Sequence, residues 1–184
     1  MPCLLTSGFT SDCLEGAGGV KEVFFQNWED FSAGITFDGT TGEVDALPEA
    51  TLYRYVPLKN SASWSDAAVP SQENGTLFFT QTITLRLSGL SMAKRNEILN
   101  LSKAKVIAFV RTMQDQIWII GRQTGLYLST GTSGTGAARG DFNGYELTMT
   151  ADEPLMAEKL EAYTSVPFDN FADITVSPAY PGVS

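Results

Sequence analysis

Between residues 77 and 87 the chain alternates. Leu77, Phe79, Gln81, Ile83, Leu85 and Leu87 fall on one side; Phe78, Thr80, Thr82, Thr84 and Arg86 fall on the other. An extended strand turns successive side chains to opposite faces, so this period of two specifies a strand with one dry face and one polar face. Phe78 and Gln81 depart from the pattern, and the other nine of the eleven positions obey it. The run therefore asks for a sheet whose second side is turned to something other than its own core.

Around it, further strands are expected over 20–26, 35–37, 52–56 and 145–150, with a shorter one at 126–128. The stretches 106–110 and 117–120 are continuously apolar and read as a hairpin buried on both faces. Asp38-Gly-Thr-Thr-Gly42 supplies the residues of a tight turn. Ser91 is a candidate N-cap for a helix over 92–103, with Met92, Arg95 and Leu99 on one stripe and Leu101 off it. Two segments lack a period: 60–75, with Trp64 in its middle as a candidate anchor for a partner, and the glycine-rich 131–144. A short helix is expected over 155–163. The balance is mainly β, in one domain spanning 1–184, with an N-terminal arm at 1–19 and an apolar C-terminal arm at 165–184 that carries Phe168 and Phe171 outward to a neighbour.

Chemistry is narrowed by what is missing. The chain has no histidine, which removes Ser-His-Asp and Cys-His catalysis and nearly all zinc sites. Its two cysteines, Cys3 and Cys13, cannot close a tetrahedral metal site and are expected as free thiols. There is no lysine between residues 106 and 158, so the glycine-rich segment cannot be a phosphate loop. Asp141-Phe-Asn-Gly144 lacks the twelfth-position glutamate of a calcium loop, having Asp152 there. Arg139-Gly-Asp141 and the sequons at Asn74 and Asn100 are read as chance occurrences, and the adjacent Asp152 and Glu153 as a solvated turn. No cofactor, no metal and no enzymatic activity are expected. The 21 acidic residues outnumber the 12 basic ones, giving a net charge of −9, which disfavours nucleic-acid binding by counterion release. No apolar run is long enough to span a membrane, and no secretory leader is read at the N-terminus, so synthesis is expected in the cytoplasm.

Taken together, the long alternating strand, the helix after Ser91, the buried hairpin and the closing Gly140-Asp-Phe-Asn-Gly-Tyr-Glu-Leu-Thr-Met-Thr-Ala-Asp-Glu-Pro154 resemble the tail tube proteins of tailed bacteriophages. The resemblance implies a β-sandwich or barrel of antiparallel strands with one flanking helix. It further implies hexameric rings stacked into a tube, part of a virion tail made in a bacterial host. The partners it implies are copies of the same chain, a tape-measure protein, other tail proteins, and DNA that passes without specific binding. Thr80, Thr82, Thr84 and Arg86 are then candidates for the lumen face; Asp38, Thr41, Trp64, Phe168 and Phe171 are candidates for contacts between subunits. Alternatives are a neck, terminator or baseplate component, a capsid decoration protein, or a host-adhesion module.

Overall fold

The computed structural model describes Gly8, residues 16–31 and residues 34–180. The expectations for Cys3, Cys13 and most of the N-terminal arm lie outside the described residues. In chain order the first elements are β1 (Val20–Asn27), α1 (Trp28–Phe31), β2 (Thr36–Phe37), β3 (Val44–Ala46), β4 (Ala50–Tyr55), β5 (Ser63–Ser71) and β6 (Thr76–Ser88). There follow α2 (Met92–Leu101), β7 (Val106–Thr112), β8 (Ile117–Ile120), β9 (Tyr127–Gly134), β10 (Gly144–Glu153), β11 (Glu158–Lys159) and β12 (Ile174–Ser177). The chain is mainly β, and most of its strand pairings are antiparallel.

Two sheets and a covering layer make three tiers. The middle tier is a six-stranded sheet in the order β11-β8-β7-β1-β4-β12. Its central strands are apolar on consecutive residues because both of their faces are buried. Val23 and Phe25 of β1, with Ala108 and Val110 of β7, look toward the second sheet. Phe24 of β1, with Ile107 and Phe109 of β7, look the other way. The second sheet, in the order β5-β6-β10-β9, is an outer tier, so its strands alternate. Ile83 and Leu85 of β6 and Leu147 and Met149 of β10 close the core between the sheets. Continuous apolar runs mark the middle tier and alternating runs the outer one.

The far face of the six-stranded sheet is sealed by α1, the β2–β3 hairpin and residues 160–180. Phe168 stacks edge-on against Phe24 at 5.0 Å and Phe109 at 5.5 Å, and Phe31 meets Phe109 at 5.5 Å. β12 then adds itself to β4 as the one parallel pair among the named strands. This corrects the outward C-terminal arm: Phe168 is 3% exposed and Phe171 7%, both inside their own subunit. An apolar tail has its best partner where apolar sheet is already bare, and here that surface belongs to the same chain.

Other expectations change for similar reasons. Residues 60–75 are not a loop, since β5 occupies most of them, and the glycine-rich 131–144 begins as the end of β9. Both are edge strands built from small polar residues, which carry no hydrophobic period to read. The expected helix at 155–163 is extended chain containing β11. α2 forms with Ser91 as its N-cap, accepting from the Lys94 N–H. It turns Leu101 inward at 5% exposure and leaves Met92 and Leu99 in solvent at 69% and 42%. The expected stripe is thus the outer one. Gly144 opens β10 with φ +157, where a Cβ would meet the Leu87 carbonyl oxygen.

Candidate assembly surface

The polar face anticipated on β6 is the uncovered outer face of the four-stranded sheet. Directly paired residues of antiparallel strands share a face, so the register places hydroxyls side by side. One row runs Ser63, Thr84, Thr148, Thr130 across all four strands, and a second runs Ser65, Thr82, Thr150 across three. Charge beside these rows is sparse: Arg86 is paired with Glu146 at 3.0 Å, and the Asp152 carboxylate accepts the Thr80 hydroxyl at 2.7 Å. Thr80, Thr82, Thr84 and Arg86 therefore sit together on one hydroxylated and nearly neutral face. The surplus acid does not lie there: Glu43, Asp45, Glu49, Glu161, Asp169 and Asp173 belong to segments of the covering layer, on the far side of the molecule.

The edges of the two sheets differ. The six-stranded sheet ends in β11 and β12, of two and four residues. Natural sheets blunt their edges this way, because a row of unpaired N–H and C=O groups recruits other strands. The four-stranded sheet ends in β5 and β9, of nine and eight residues, each bonded to the sheet on one side only. Pro70 of β5 lies opposite Leu77. Having no N–H, it takes a non-hydrogen-bonded position with its nitrogen turned outward. By the two-residue period, the N–H groups of Trp64, Asp66 and Ala68 also point off the edge.

The β5–β6 hairpin also outruns its sheet. The last β10–β6 pair is Glu153 with Phe79, so Thr76–Phe78 and the facing end of β5 project beyond it. Val69, Leu77 and Phe78 on this projection are 37%, 56% and 36% exposed. At the other end of the sheet, α2 and β9 enclose an apolar groove of about 250 Å³.

The remaining candidates for subunit contact separate. Asp38 and Thr41 lie at the exposed β2–β3 tip, where the Asp38 carboxylate accepts the Thr41 N–H at 3.0 Å and that of Thr40 at 2.5 Å. These backbone bonds hold its pKa below the usual aspartate value. Trp64 is corrected from a free anchor: it is half-buried, with its ring 5.7 Å from that of Trp118, so it bridges the two sheets of its own subunit. Phe168 and Phe171 are in the core, as above. The projecting apolar hairpin was missed, although apolar residues on both sides of Asn74-Gly75 were its signal.

Buried polar groups are engaged in structure. Gln81, which broke the alternation, is 2% exposed and accepts the Gly121 N–H at 2.9 Å, tying β6 to the turn after β8. Glu153 is corrected from a solvated turn residue: it is 3% exposed and accepts the Gln123 and Thr124 N–H groups and the Thr124 hydroxyl. Glu22 accepts from Arg54 at 2.6 Å, Arg111 at 2.9 Å and the Tyr180 hydroxyl at 2.6 Å. Burial pushes its pKa up, but these three donors outweigh burial and leave it lowered. Asp115 is held down to about 2, first by the Lys21 ammonium and then by Tyr163 and Arg111. Among the described residues no group of three or more Cys, Asp or Glu is placed to hold a metal ion, and no helix is long and apolar enough to cross a membrane. Comparison with protein-family models, curated proteins and solved structures returned no match.

Proposed function

We propose that this chain is a non-enzymatic building block of a phage tail tube, in which neighbouring copies extend the four-stranded sheet into a ring and its hydroxyl face lines the channel. The observation that carries the reading is the contrast between the two pairs of sheet edges. A fold that blunts one sheet to two and four residues has the means to protect an edge, yet leaves nine and eight residues open on the other. Strand addition at such edges uses main-chain hydrogen bonds for affinity and leaves the side chains of both faces free.

The hydroxyl rows suit a wall past which DNA must move. Phosphate adheres to clustered Lys and Arg, and on this face Arg86 is already neutralised by Glu146. Passivity here comes from neutral, hydrated Ser and Thr rather than from repulsion by acids. Following the family resemblance, the rings are hexameric and stacked, their other partners are a tape-measure protein and further tail proteins, and the site of action is the virion tail.

Sedimentation and negative-stain imaging of the purified protein test the reading. Hollow rings or tubes support it. Compact monomers persisting at high concentration overturn it, and glycan-binding trimers would move the chain to the adhesion class.

A further inference from the structure

Two surfaces remain that lateral strand pairing does not use, and they lie at opposite ends of the same sheet. We infer that the projecting β5–β6 hairpin of one copy seats in the groove between α2 and β9 of a second copy, joining the fold head to tail.

The hairpin is bare on both faces. Phe78 and Val69 pair on the outer side, Leu77 and Pro70 on the inner, and none of the four has a β10 neighbour. Leu155 and Met156, just past the end of β10, add exposures of 52% and 57% at the same pole. An apolar finger of this kind gains stability in proportion to the area a partner removes from water, and a groove of about 250 Å³ has room for one or two of its side chains.

The groove offers such a lining. Ile98 and Leu99 of α2 form one wall, and Leu128 and Leu147 of the sheet form the other, with Arg95 at the rim. Its charge is opposite to that of the hairpin. From residue 60 to residue 85 there is no Lys or Arg; Asp66 is tied to the Ala157 N–H within its own subunit, and Glu73 is the acid at the hairpin tip. Residues 94–105 hold Lys94, Arg95, Lys103 and Lys105 against the single acid Glu97; Arg95 lines the groove, Lys94 donates to the Ser88 carbonyl and Lys105 lies over the Trp28 ring. In a protein of net charge −9, this basic pole is where an acidic finger of an identical copy is steered.

β6 runs from the hairpin at Leu77 to the helix end at Leu87, ten residues or ~33 Å of strand. Finger and groove therefore cannot both be satisfied within one copy. Two antiparallel copies would satisfy both ends and close as a dimer, whereas copies facing the same way repeat the contact into rows, the arrangement that stacked rings require. The occupant is a second copy of this chain, and its position is displaced along the strand axis from any neighbour that pairs with β5 or β9.

A cysteine pair reads the contact. In a background with Cys3→Ser and Cys13→Ser, the double variant Leu77→Cys with Leu99→Cys is mildly oxidised after assembly. A disulfide-linked ladder of dimers, trimers and higher species is expected, with none from either single variant. The ionic part is read by Glu73→Arg and Arg95→Glu. Each should weaken self-association at low salt by roughly fivefold, the size of one surface ion pair, and the two together should restore it. Assembled protein that gives no ladder overturns this contact and leaves lateral pairing standing. Cross-linking by Leu77→Cys alone places finger against finger and also overturns it. Protein that never assembles removes both readings.

Discussion

At the scale of single residues, Phe168 and Glu22 do most to hold the covering layer down. Phe168 touches Phe24, Phe109 and Phe171, so its truncation opens a cavity in a packed aromatic cluster. Phe168→Ala is expected to lower unfolding stability by about 4 kcal/mol in a denaturant titration. Glu22 joins Arg54, Arg111 and Tyr180 beneath the same layer, so Glu22→Gln leaves the mostly buried Arg54 guanidinium without a carboxylate, while Arg111 keeps Asp115. It should cost about 3 kcal/mol, the effect of removing one partner from a buried ion pair. The pH dependence follows from the same groups. Glu22 and Asp115 have folded pKa values below their unfolded ones, so the folded state binds fewer protons. Their contribution is full above the unfolded value, near pH 4, and is lost as pH falls toward about 2, where Asp115 titrates. Melting temperature should drop across that window, and Glu22→Gln should flatten the drop.

At the scale of elements, the edge strands separate folding from assembly. Ala68→Pro removes an N–H that points off β5 while leaving the β5–β6 ladder intact. Secondary structure and melting temperature should be nearly unchanged by circular dichroism, and rings or tubes should vanish from negative-stain images. A variant that folds and still assembles would show that β5 is not a joining edge. Deleting residues 165–184 has the opposite signature. It uncovers Phe24 and Phe109, so loss of cooperative unfolding is expected rather than a folded monomer. The elements also show what can be read without a structure. Residues 106–110 and 77–87 were legible because a buried face writes its period into the side chains. β5 and β9 were not, because edge strands of Ser, Thr, Gly and Ala carry no such contrast. On β6 the hydroxyl face was readable strand by strand, but its continuation onto β9 and β5 depended on register, which sequence does not state. The tail at 165–184 misled because apolar residues without a local partner look the same whether their partner is this chain or another.

At the scale of the whole molecule, charge is sorted by layer. The hydroxyl face is close to neutral, α2 is basic, and acids crowd the covering layer. Adding charge to the hydroxyl face should therefore leave assembly alone and change what the wall does. Thr82→Lys with Thr148→Lys, on the same exposed face, is expected to assemble normally yet retain duplex DNA in a low-salt binding assay where the parent does not, with the retention lost as salt rises.

One pairing has a bearing on how the chain is made. β12 closes the middle sheet by lying beside β4, more than 120 residues earlier, and the aromatic layer beneath it is sealed by Phe168 and Phe171. Phe31 reaches Phe109 early, but Phe24 lacks its Phe168 cover until residue 168 has been added, so a nascent chain on the ribosome carries a partly open greasy flank until then. Folding of this subunit is thereby tied to the arrival of residues 168–177, and a chain cut short before them is the form most exposed to aggregation.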